Sequence, residues 1–177
     1  NKNIHLILCI MQIDYAQDFV HTYIINRKEQ NRMKQITNMG KAVCTMANEI
    51  KKSGYSLSDA FKKAWQRVKF PMIVRARGTS FGNRQECLGF LKQFRPDDLS
   101  VTLEKEPGNQ FDSNAIRIVV HIHPISKKTI IGYVPEGLAR ELSKVIDTGV
   151  EVKAKLLDII GGYGHKETLG TLVNFSI

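Results

Sequence analysis

The chain has 177 residues, enough for one domain with an appendage. Its 42% hydrophobic and 24% charged content suits a globular protein with a real core, and no apolar run approaches the roughly 18 residues that a membrane span requires. The net charge of +9 favours an anionic partner, and nucleic acid is the commonest. Residues 1–70 carry 12 Lys/Arg against 5 Asp/Glu, whereas residues 71–177 carry 14 against 12. The basic excess therefore sits in the first part, either as a solvated helical face or as a phosphate-binding one.

Cys9, Cys44 and Cys87 are odd in number, far apart and without a C-x-x-C. Neither a disulfide framework nor a structural zinc site is expected, and a reducing cytoplasm fits best. The apolar stretch over 4–13 is short and lacks a small-residue cleavage site, so no signal peptide is expected.

In chain order, residues 1–38 are rich in Ile, Asn, Lys and Gln with weak periodicity, and read as a poorly defined extension. The sequence starts at Asn1, and Met33 or Met39 is the expected native start. Residues 39–70 read as a helical hairpin. Met39, Ala42, Val43, Met46, Ala47 and Ile50 recur at helical spacing, Lys51 and Lys52 suit a helix end, and Gly54 is a stop. Ser56 with Asp59 three residues on is an N-cap pattern. Leu57, Ala60, Phe61, Ala64, Trp65 and Val68 form the next apolar stripe, in which Trp65 is expected to pack in the core, with stacking on a base as the lesser alternative. "LSDAFKKAW" (57–65) resembles a small helical element found beside phage and mobile-element proteins.

From residue 71 the pattern turns to alternation and β-branching. Strands are predicted over 72–77, 99–105, 115–122, 129–134, 150–160 and 168–177. Helices are predicted over 84–94 and from Pro135 to a stop at Gly149, with Leu138, Leu142, Val145 and Ile146 facing inward. The fold class is thus α+β: six short antiparallel strands that close into a small barrel to hide their edges, with two short helices, preceded by the helical hairpin.

Three stretches of this part, "RGTSFGNRQE" (77–86), "LEKEPGNQFDSNAIRI" (103–118) and "IGYVPEGLARELSKVIDTG" (131–149), resemble a HIRAN domain over residues 74–177. The middle stretch, followed by the Gly-Tyr-Val-Pro at 132–135, is the most specific of the three. The resemblance implies a barrel related to oligonucleotide-binding folds. It also implies a pocket for the 3′-hydroxyl end of single-stranded DNA, in which an aromatic ring stacks on the terminal base and the neighbouring Asp bonds the terminal hydroxyl. Phe111 and Asp112 take those positions. Phe81 falls near another pocket aromatic, Asn109 matches a loop Asn, and Tyr133 stands where a eukaryotic member has His. Tyr163, in the Gly161–Gly164 turn, offers a further stacking face. Two departures point to weaker binding or to a different end structure: Phe111 lacks a hydroxyl that Tyr would have, and Glu136 stands close to a lysine position, where it would repel phosphate.

The residues support the same chemistry unaided. Single strands are held by aromatic faces and cationic grooves. Phosphate repels a carboxylate, but a free hydroxyl can donate to it. Arg75, Arg77, Arg84, Lys105 and Arg117 are candidate phosphate contacts. The plainer readings make Phe111 a plug for the barrel end, Asp112 a turn residue and Asn114 a loop fixer. His121 and His123 share a strand face but lack a third metal ligand unless His165 supplies one. Asp97 and Asp98 read as a polar turn, Cys87 as a packing residue, and no P-loop is present. The expectation is a nucleic-acid-binding module with no metal, no cofactor and no catalysis of its own. The alternatives are an adaptor whose hairpin docks a protein and, third, a metal-dependent nuclease.

Overall fold

The computed structural model describes the backbone of residues 2–164 and 167–177, and side chains from residue 22 onward outside 165–166. The chain divides into two compact units, Asn1–Met39 and Gly40–Ile177. Helix α1 runs from Lys2 to Lys52. Residues 2–38, for which weak periodicity predicts no element, are therefore helical. Over 22–38 the side chains are exposed, so no buried stripe marks this stretch. The apolar period begins only at Ala42, and Ala42, Val43, Met46, Ala47 and Ile50 are all buried.

Helix α2 spans Leu57–Lys69. Gly54, at φ +94°, takes the left-handed turn that a side chain would strain. Ser56 Oγ then accepts from Asp59 N at 3.1 Å and donates to Asp59 Oδ2 at 2.7 Å. Such a cap contributes about 1 kcal/mol. Only Ala60, Ala64 and Val68 of α2 are buried. Trp65 is 49% exposed, which corrects its expected core role. The small residues at i, i+4 and i+8 form the packing stripe, and Trp65 lies to one side of it.

The remainder is one six-stranded antiparallel sheet with two helices. Strands β1 (Met72–Arg75), β2 (Leu99–Lys105), β3 (Ile116–Ile122), β4 (Lys127–Tyr133), β5 (Lys153–Ile160) and β6 (Gly170–Ser176) lie in the order β1-β6-β5-β2-β3-β4. Helix α3 (Arg84–Leu91) buries Leu88 and Leu91, and α4 (Glu136–Asp147) buries Ala139, Leu142 and Val145. Strand β3 carries much of the core, with Ile116, Ile118, Val119, Val120 and Ile122 buried.

The expected closed barrel is not formed by a continuous ladder. The end strands β1 and β4 meet only at one bridge just past β1, where Arg77 N donates to Tyr133 O at 2.8 Å and Tyr133 N to Arg77 O at 2.9 Å. A bulge between Ile118 and Val119 shifts the β3–β4 register before that point. Gly132 is needed there because a Cβ would stand 2.7 Å from Arg77 O.

Helix α2 is tied to α4 by an ion pair between Arg67 and Glu141, the latter only 8% exposed. Among the described residues no helix is long and apolar enough to cross a membrane.

Candidate functional site

The loop between β2 and β3 is organised by its own side chains. Glu106 N donates to Ala115 O at 2.8 Å and closes its neck. Asn109 Oδ1 accepts from the backbone N–H groups of Phe111 (2.9 Å) and Asp112 (3.1 Å), and Asp112 Oδ1 accepts from Asn114 N at 2.8 Å. Asx side chains fold such turns because they replace a backbone acceptor. The result projects Phe111 into solvent with 97% of its surface exposed, so it plugs nothing. Asp112 does serve the turn through Oδ1. Its Oδ2 accepts no hydrogen bond among the described residues.

The facing wall is the turn after β1. Gly78 has φ +67°, and a Cβ there would meet Arg84 Nη1 at 3.1 Å and the Phe81 ring at 3.4 Å. That space lets Arg84 Nη1 donate to Gly78 O at 2.6 Å. The guanidinium carbon of Arg84 sits 5.0 Å from the Tyr133 ring centroid, a cation–π contact. Phe81 stands 69% exposed beside it.

Tyr133 joins the two walls. Its hydroxyl donates to Glu106 Oε2 at 2.9 Å, and Asn109 Nδ2 donates to the same oxygen at 2.9 Å. Arg117 lies 3.7 Å from Glu106 Oε1. The Asn109 and Tyr133 hydrogen bonds, helped by Arg117 and Arg84, hold the Glu106 carboxyl below its ordinary range. Burial first, and the bond to Glu106 second, push the Tyr133 phenol up.

Between the walls lies a cleft of about 800 Å³. It brings together six of the seven predicted site residues: Phe81, Arg84, Asn109, Phe111, Asp112 and Tyr133. Tyr163, exposed on its own turn, is not part of the lining. Of the candidate phosphate contacts, Arg77 and Arg84 line the cleft. Arg75 instead packs against Gly170, Lys105 pairs with Asp147 at 2.5 Å, and Arg117 braces Glu106. Glu136 lines the cleft too, but Arg140 lies 3.3 Å from it and offsets its repulsion of phosphate. A second hollow of about 470 Å³ adjoins across Phe81 and Arg84, with Asn83 and Lys128 on its wall.

Glu106 is the member that sequence reasoning missed. An acid in a turn-rich loop shows no periodicity, and only its place at the head of the Glu-Pro-Gly-Asn run (106–109) signalled it.

The remaining candidates fall elsewhere. His121 Nε2 is 3.0 Å from Thr102 Oγ1, His123 opens a 3-10 turn, and His165 lies outside the described residues. Among the described residues no three metal-ligating side chains converge. Asp97 and Asp98 form a 3-10 turn in which Asp98 caps Arg95 N, and Cys87 is half-buried on α3.

No curated protein and no solved structure matches the chain. The family model of the HIRAN domain does, over residues 73–161, just over half of the sequence. The match begins within β1, runs through both cleft walls and extends past α4 to the end of β5. Fold, cleft and match thus fall on the same residues, and the chain belongs to the HIRAN domain family.

Proposed function

We propose that this HIRAN domain binds single-stranded DNA at a free 3′-hydroxyl end and performs no catalysis of its own. The observation that carries the reading is the pairing of a fully presented ring, Phe111, with the Asp112 carboxylate in one cleft that also holds Arg77 and Arg84. The terminal base stacks on Phe111. Its 3′-hydroxyl donates to Asp112 Oδ2, and the preceding phosphate meets the two arginines. Stacking contributes roughly 1–3 kcal/mol per base. An internal nucleotide would place a phosphate where the hydroxyl sits, against a carboxylate, and is disfavoured for that reason. The strand then leaves across Phe81 into the adjoining hollow. Family membership supports nucleic acid as the ligand class. The other carboxylates near the cleft support a binding role, since Glu136 on its lining and Glu106 behind Tyr133 are each engaged by neighbouring arginines rather than held ready for proton transfer.

The test is fluorescence anisotropy with matched short oligonucleotides ending in a 3′-hydroxyl or a 3′-phosphate, as DNA and as RNA. The hydroxyl end should bind more tightly, and Asp112→Asn should narrow the difference. Equal affinity for both ends in the wild type would sink the end-recognition reading.

A further inference from the structure

Helix α2 buries one side and leaves an unusual one outside. With Ala60, Ala64 and Val68 turned inward, the helical repeat of about 100° per residue places Lys62, Trp65 and Lys69 together on the outer face. Trp65 is 49% exposed there, and Phe70, just past the helix end, is 58% exposed. Lysines stand over the neighbouring rings: Lys69 Nζ is 5.7 Å from the Phe70 centroid, and Lys63 Nζ is 4.4 Å from that of Tyr55. The sole acid of the helix, Asp59, is occupied at the cap by Ser56. Residues 40–70 carry seven Lys/Arg against two Asp/Glu, so the surface is complementary to a polyanion. A purely apolar docking face would not flank its tryptophan with a lysine three residues before and another four residues after, whereas single-stranded nucleic acid needs stacking faces flanked by cations.

We propose that the outer face of α2 is a second contact site for single-stranded nucleic acid, distinct from the cleft, with Trp65 stacking on a base and Lys62 and Lys69 meeting the flanking phosphates. The two lysines are separated by about 10 Å along the helix axis, so they bracket a stacked base rather than crowd it. The proposal rests on the reading of the chain as a single-strand binder, but it does not need a free 3′ end.

Trp65 is the only tryptophan of the chain, so emission excited at the red edge, where tyrosine does not absorb, reports this face alone. The full chain is titrated with a long oligothymidylate blocked by a 3′-phosphate, and with a trinucleotide bearing a 3′-hydroxyl. The long strand should quench Trp65 emission in step with its binding, and the trinucleotide should bind without quenching. The double variant Lys62→Glu/Lys69→Glu should bind the long strand at least tenfold more weakly. Two lost phosphate contacts should also reduce its salt slope by about 1.4. Its circular dichroism and its trinucleotide affinity should stay unchanged. Binding of the long strand with unquenched Trp65, or an unchanged slope in the double variant, overturns the proposal. Emission that shifts with protein concentration and not with DNA also overturns it, in favour of a protein partner or a second copy on this face. Equal affinity for blocked and free ends, with quenching retained, defeats only the end-recognition reading.

Discussion

A phenyl ring left 97% exposed contributes little to folding, so Phe111 separates binding from stability. Phe111→Ala should leave the unfolding free energy within about 0.5 kcal/mol of wild type, as surface changes usually do. Loss of one stacking partner should weaken oligonucleotide binding by about 5- to 150-fold, the equivalent of roughly 1–3 kcal/mol. A chemical denaturation curve and an anisotropy titration on the same preparation check both halves. Glu106 behaves in the opposite way, because its hydrogen bonds hold the loop together. Its folded pKa lies below the ordinary glutamate value of 4.5. The stability it adds is therefore complete above that value and is lost as the pH falls through the folded pKa. Glu106→Gln keeps an acceptor but cannot titrate. Urea midpoints followed from neutral pH into the acid range should fall more steeply for the wild type than for Glu106→Gln. Parallel curves would mean that the network adds nothing to the fold.

At the scale of elements, period alone made most of the architecture legible. The alternation over 99–105 marks β2, whose bounds match at both ends, and the apolar run from Ile116 marks β3, whose Ile116, Ile118, Val120 and Ile122 form one wholly buried face. The Ser56 cap placed the start of α2 to the residue, and the Gly54 stop fell two residues past the end of α1. Period failed where packing is asymmetric. Trp65 sits at a helical spacing that reads as core, yet alanines do the packing and the indole is left outside. It failed again over 22–38, where a helix with all side chains exposed has no stripe to find. Nor does any periodicity reveal that α2 is pinned to α4 by the ion pair between Arg67 and Glu141, two elements far apart in sequence. Removing one partner of a buried pair strands the other charge. The Arg67 side chain keeps 35% of its surface exposed, so Glu141→Ala should cost about 1–3 kcal/mol rather than the full penalty of a wholly buried ion. A double-mutant cycle with Arg67→Met, read by thermal unfolding, should recover much of that loss, because the orphaned charge is then gone.

The whole molecule depends on how its sheet ends meet, and here closure and binding involve the same residues. Sequence patterns predicted six strands and a barrel, but strand count cannot say whether the last edge pairs along its length or at one point. It pairs at Arg77 and Tyr133 alone, and this bridge carries both walls of the cleft. Through its backbone Tyr133 joins β4 to the segment after β1. Through its ring it supports Arg84, and through its hydroxyl it holds Glu106 and so the Phe111 loop. Gly132 is the residue that lets the two backbones approach, and a methyl group there would press 2.7 Å from Arg77 O and 3.1 Å from the Ala76 methyl. Neither neighbour is the free end of a long side chain, so the backbones themselves must part. Gly132→Ala should therefore destabilise the domain by about 1–3 kcal/mol, the usual range for overpacking. It should weaken oligonucleotide binding at the same time, in contrast to Phe111→Ala, which should affect binding alone. Amide exchange locates the cause. Protection at Arg77 N and Tyr133 N should drop by more than the global loss of stability accounts for, while the β2–β3 ladder, which pairs in register from Leu99 to Lys105, should track the global value. If Gly132→Ala instead leaves those two amides protected and the cleft competent, the bridge is not what positions the site, and the Asn109 loop alone must hold the binding geometry.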